Sequence, residues 1–103
     1  MAKRLIWTEL AQAQKKEIFD YWNERNGSKT YSRKLNRLFD EAAEMLTVQP
    51  YIGQPTQFEN IRAKKVKTLH LMYKVTDKGI QILIIWNTRR NPDDLVKLME
   101  DIM

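Results

Sequence analysis

Between residues 61 and 92 the sequence carries eight cations, Arg62, Lys64, Lys65, Lys67, Lys74, Lys78, Arg89 and Arg90, against the single acid Asp77. Residues 1–60 are nearly balanced, with nine basic and eight acidic side chains. Guanidinium groups grip phosphate oxygens through two parallel hydrogen bonds, and lysines add less directional attraction. A stretch of this kind suits a polyanion, whether RNA, DNA or an acidic protein segment. His70, the only histidine, lies inside it. An imidazole with an ordinary pKa of about 6.5 suits proton transfer beside a bound ribose. Arg89 is the sharpest phosphate-binding candidate, because Asn91-Pro92-Asp93-Asp94 opens a helix just after it and backbone donors at such a start converge on anions. Taken singly, each lysine also has a plain structural use, since lysines guard sheet edges against aggregation.

The rest of the composition excludes other chemistries. Zero cysteines rule out a disulfide framework, a thiolate metal site and a cysteine nucleophile. One histidine leaves no cluster for zinc, and no nucleophile elbow is present, so neither a metal nor a cofactor is expected. The longest apolar run, Ile82 to Trp86, falls far short of the roughly 20 residues that span a bilayer. The basic start Met1-Ala2-Lys3-Arg4 meets polar Thr8, Glu9 and Gln12 instead of a sustained apolar segment, which predicts a cytoplasmic protein with no membrane partner. With 103 residues, 43% of them hydrophobic, and only three glycines and three prolines, the chain predicts one globular domain over 1–103.

The elements that must position the cations follow from changes of period. Arg4 to Trp7 reads as a strand, and Thr8 caps a helix through about Arg25 on which Leu10, Ala11, Ile18, Phe19 and Trp22 share a face. Asn26-Gly27-Ser28 supplies a terminating glycine and a fresh cap. Tyr31, Leu35, Leu38, Phe39, Ala42 and Leu46 then recur at helical spacing, so the two helices form an antiparallel hairpin. Pro50, Gly53 and Pro55 mark a loop. After it the period becomes two: a weak strand from Asn60 to Lys67, a firm one through Leu69, Leu71, Tyr73 and Val75, a turn at Asp77-Lys78-Gly79, and an apolar return from Ile80 to Trp86. A last helix after Pro92 turns Leu95, Leu98, Met99 and Ile102 inward. The fold class is α+β: an N-terminal strand and a helical hairpin packed on a mainly antiparallel, twisted sheet, with a short C-terminal helix.

On this reading one sheet face carries the hairpin and the other is partly open. Arg62 and Lys64 share a face, His70, Met72 and Lys74 line the solvent side of the next strand, and Tyr73 and Trp86 are core aromatics. The cations are thus expected to gather in one concavity, with Lys65, Lys67, Lys74 and Arg90 adding phosphate contacts around it.

Read together, Ile6-Trp7-Thr8, the long helical hairpin, Pro50-x-x-Gly53, Leu69-His70-Leu71-Met72-Tyr73-Lys74-Val75, Ile80-x-Ile82-Leu83-Ile84-Ile85 and Trp86-Asn87-Thr88-Arg89-Arg90-Asn91-Pro92 resemble the RelE/ParE superfamily of bacterial type II toxins over nearly the whole chain. The resemblance implies one of two activities: RelE-like toxins cut mRNA in the ribosomal A site by promoting attack of a ribose 2′-hydroxyl, and ParE-like toxins poison DNA gyrase. It also implies a cognate antitoxin. Carried over by position, the RelE-type strand lysines fall near Arg62 and Lys64, the arginine of the Arg-Leu-Val-Tyr strand on His70, and the arginine closing the last strand on Arg89. Leu95 stands where RelE-like members carry a tyrosine. The expected function is ribosome-dependent mRNA cleavage, with His70 handling the proton and Arg62, Lys64 and Arg89 holding the phosphate. The alternatives are gyrase inhibition and an inactive antitoxin-binding module.

Overall fold

The computed structural model describes residues 4–102; the basic start Met1-Ala2-Lys3 and the terminal Met103 lie outside it. In chain order the elements are β1 (Leu5–Trp7), α1 (Glu9–Asn26), α2 (Thr30–Val48), β2 (Gln54–Pro55), β3 (Arg62–Val66), β4 (Leu69–Thr76), β5 (Gly79–Asn87) and α3 (Pro92–Ile102). They form one mixed sheet in the order β1-β5-β4-β3-β2, antiparallel except that β1 runs parallel to β5. The expected α+β architecture is present. The two-residue β2 is an addition, because a strand of that length within a Pro- and Gly-containing loop leaves no periodic trace.

Local chemistry explains the helix boundaries. The Thr8 hydroxyl accepts from Ala11 N at 3.1 Å to cap α1, and it donates to Leu83 O at 2.7 Å, tying the helix to the sheet. Gly27, in the left-handed region at φ 65°, closes α1. The fresh cap expected at Ser28 does not form: α2 starts at Thr30 behind Lys29, which makes no side-chain cap. Ser32 is the buried hydroxyl instead, donating to Asn23 and to Lys29 O. Asn91 caps α3 as expected, its carboxamide oxygen accepting from Asp93 N at 3.0 Å.

The α1–α2 hairpin covers one face of the sheet. Leu35, Phe39, Ala42, Ala43 and Leu46 meet Leu69, Leu71, Tyr73, Ile80, Ile82 and Ile85 there, with Trp7, Ile18, Phe19 and Trp22 completing the layer. Truncating a ring such as Phe39, fully buried at its centre, costs about 3–5 kcal/mol. Leu10, expected on the inner face of α1, is 37% exposed. The polar residues of α1 have a use here: the pairing of β4 with β5 slips between Met72 and Tyr73, leaving Leu83 without a direct partner. Two side chains serve the backbone at this bulge, the capping Thr8 at Leu83 O and Gln14 of α1, whose carboxamide oxygen accepts from Ile85 N at 2.7 Å.

The opposite face is where expectation and structure part. Met72 does not face solvent beside His70 and Lys74. It is buried with Ile61, Ala63, Ile84, Trp86 and Met99, against which Phe58, Leu83, Leu95 and Leu98 pack. Helix α3 therefore roofs much of the face expected to stay open, and Ile102, expected inward, is 38% exposed beyond the sheet's reach. Leu95, Leu98 and Met99 share a face of this eleven-residue helix and need a surface to bury them, and the hairpin already covers the other side of the sheet.

Candidate functional site

Register decides which cations can cooperate. In an antiparallel pair, directly opposed residues share a face. Arg62 is opposite Tyr73 and Lys64 opposite Leu71, whereas Lys65 is opposite His70 and Ala63 opposite Met72. Tyr73 and Leu71 belong to the hairpin-side core and Met72 to the α3-side core. Arg62 and Lys64 thus project on the hairpin side, and His70 and Lys65 on the other. The expected single concavity of Arg62, Lys64, His70 and Arg89 does not form, because Val66 takes the buried hairpin-side position and fixes the alternation of β3.

Arg62 is committed to structure. Its guanidinium donates to Gly53 O at 2.8 Å and Tyr51 O at 3.2 Å, and lies 5.2 Å from the Tyr51 ring centroid. Tyr73, fully buried, completes the clamp by accepting from Gly53 N at 2.9 Å and donating to Pro50 O at 2.8 Å. Burial, the largest influence, holds the Tyr73 hydroxyl above its ordinary pKa and so keeps its proton in place, with the Gly53 amide and Arg62 pulling the other way. Gly53 is required there: a Cβ would sit 2.5 Å from the Tyr73 hydroxyl. Lys64 leans toward α2, lining a shallow cavity with Leu38, Glu41 and Met45.

On the other side, His70 is partly exposed, and burial followed by the charge of Lys65 holds its pKa below the ordinary 6.5. Both influences favour the neutral imidazole. Its neighbours in a small cavity are Ile52, Gln54, Ala63 and the two lysines Lys64 and Lys65 at the rim. Lys74 sits at the other end of β4, beside Phe58, Glu59 and Arg62.

The two arginines after β5 diverge. Arg90 lies over the Trp86 ring at 4.8 Å, on the α3 side. Arg89 lines a cavity of about 490 Å³ between the hairpin and the end of the sheet, together with Lys67 and Arg25. Tyr21, Trp22 and Tyr31 form its aromatic wall, with centroid spacings of 5.1 Å between Tyr21 and Trp22 and 4.8 Å between Trp22 and Tyr31. Arg25 and these aromatics escape a reading centred on the basic half of the chain. A signal for them exists: Tyr21 and Trp22 are adjacent on a helix, so both cannot face the core, and Tyr21 is 53% exposed.

A sheet with a helical hairpin on one face, a capped short helix on the other and cations at its margins is the architecture of the RelE/ParE toxins. The chain is similar to a solved structure described as the chromosomal ParDE TA system from P. aeruginosa, with a TM-score of 0.73 and 23% identity over 84% of this chain and 96% of that one. No curated protein matches it. The profile of the family described as the ParE toxin of type II toxin–antitoxin system, parDE, matches residues 5–92. The chain therefore belongs to the ParE toxin family, within the RelE/ParE superfamily. Among the described residues, no helix is long and apolar enough to cross a membrane.

Proposed function

We propose that this chain is a toxin restrained by a cognate antitoxin, and that it acts on DNA gyrase instead of cutting mRNA. The observation that carries this reading is the division of the cations: Arg62 and Lys64 lie across the sheet from His70. Attack of a 2′-hydroxyl on the adjacent phosphate needs a proton acceptor and phosphate ligands within hydrogen-bond reach of one ribose-phosphate. Here Lys65 is the cation paired with the imidazole across the strands, Lys64 reaches its cavity only at the rim, Arg62 is spent on backbone carbonyls, and Arg89 opens onto the hairpin side. Leu95, in place of a tyrosine, contributes to the α3 core. Holding a protein target demands no such convergence, only a surface, and the family match supports the gyrase alternative.

The test is gyrase-catalysed supercoiling of a relaxed plasmid with increasing amounts of purified protein. The proposal expects loss of supercoiling and accumulation of cleaved DNA–gyrase complexes, both suppressed by the antitoxin, while mRNA on translating ribosomes stays intact. Unimpaired supercoiling together with cut mRNA overturns it.

A further inference from the structure

We propose that the outer surface of α2, with the neighbouring Lys64 of β3, is an interface between two copies of this chain, related by a two-fold axis that runs along α2.

Besides the stripe that packs on the sheet, α2 carries a second one. Glu41, Met45 and Val48 follow one another at spacings of four and three and so line one outward strip. Met45 is 48% and Val48 68% exposed, and Tyr51 and Ile52 continue the exposed apolar surface into the loop after the helix. Two shallow clefts flank the strip and share Glu41 and Met45. One, of about 330 Å³, runs toward Glu44 and Val48. The other, of about 270 Å³, runs toward Leu38 and Lys64. Each has room for one side chain, and Met45 stands between them as a ridge able to fill the cleft of an opposing copy.

The charges identify the occupant. Glu44 marks one margin of the strip and Lys64 the other. Neither enters the ion pairs among the described residues, Lys16–Asp20 and Arg37–Glu41. A surface with one margin of each sign is self-complementary, because a two-fold axis along the strip lays the acidic margin of one copy on the basic margin of the other, twice over. A nucleic acid or an acidic segment would meet Glu41 and Glu44 on the same strip, and a basic segment would meet Lys64. A second copy satisfies both margins with residues already in the chain. One helix face and a short loop lie at the low end of interface sizes, below about 1,200 Å² in total, so the dimer is weak and reversible.

The experiment is analytical ultracentrifugation of the purified full chain from about 1 to 200 µM, a range that brackets a weak dimer. The mean mass should rise from that of one copy to that of two. Val48→Asp, at an exposed position, should remain a single copy throughout. Glu44→Lys and Lys64→Glu should each weaken association about tenfold or more, because like charges then face each other twice across the axis. Mixed in equal amounts, these two variants should form a heterodimer at least as tight as the parent dimer, since one chain then carries a lysine on both margins and the other a glutamate on both. Such recovery separates lost complementarity from a folding defect. Three outcomes overturn the proposal: a single copy at every concentration, parent-like association of Val48→Asp, or a mixture that associates no more tightly than either variant alone. The first of these, with gyrase inhibition lost in Val48→Asp, would assign the strip to the target protein instead. Association is read without gyrase, so a failed gyrase assay and a failed sedimentation test are separate results.

Discussion

The two ends of β3 carry cations of opposite character. At one end Arg62 is locked onto the carbonyls of Tyr51 and Gly53 beside the buried Tyr73 hydroxyl. Just past the other, Lys67 is exposed, holds the left-handed region at φ 58° and lines an aromatic-walled cavity with Arg89 and Arg25. A cation whose donors are used by the chain's own backbone holds a loop; one with its donors free is available to something else. Net charge alone does not distinguish the two, and partners do.

That contrast breaks most readily at the clamp. Gly53→Ala forces a methyl group to within 2.5 Å of the Tyr73 hydroxyl and 2.9 Å of Ala63 O, and is expected to lower stability by about 3 kcal/mol in denaturant unfolding. Tyr73→Phe leaves Gly53 N–H and Pro50 C=O without their partner, for a loss of about 2 kcal/mol by the same measurement. Arg62→Met should cost about 1–2 kcal/mol in denaturant unfolding. Lys67→Gly should not: relief of left-handed strain outweighs or balances the added freedom of the unfolded chain, so stability stays the same or rises by up to about 1 kcal/mol. Equal losses of stability in the two variants would collapse the contrast.

The smallest effect concerns His70. Its folded-state pKa lies below the unfolded 6.5, first by burial and then by Lys65, so the unfolded chain binds more protons between those two values. Stability is therefore full above pH 6.5 and declines slightly as pH falls from 6.5 to the folded-state pKa, levelling off below it. An NMR titration of the imidazole should give a midpoint below 6.5 that moves only part of the way back in Lys65→Gln, since burial is the larger cause.

Much of the fold was legible in the sequence because period, caps and turns agreed: the Thr8 and Asn91 caps, the Gly27 stop, the Tyr31-to-Leu46 stripe and the β4–β5 hairpin all stand where the pattern puts them. The face on which β3 presents its charges was not. Its run Arg62-Ala63-Lys64-Lys65-Val66 alternates too weakly to set the register, and Val66 and its pairing with Leu69 decide it only once β4 is in place. The burial of Met72 was hidden for a related reason. His70, Met72 and Lys74 read as a polar face until α3, an eleven-residue helix beginning at Pro92 after the last strand, folds back over Met72, Ile84 and Trp86. The cavity at Arg89 was half legible. Lys67 and Arg89 lay in the conspicuous basic segment, whereas Arg25, Tyr21 and Trp22 lay in α1 and Tyr31 in α2, where Trp22 and Tyr31 read as core.

The proposed gyrase target implies that the cations, divided between two faces, do not cleave RNA in the cell. Mapping of cellular mRNA 5′ ends after induced expression, with growth followed in the same culture, decides this. Arrested growth with no new mRNA ends is expected. New ends within translated codons that vanish in His70→Ala would contradict it.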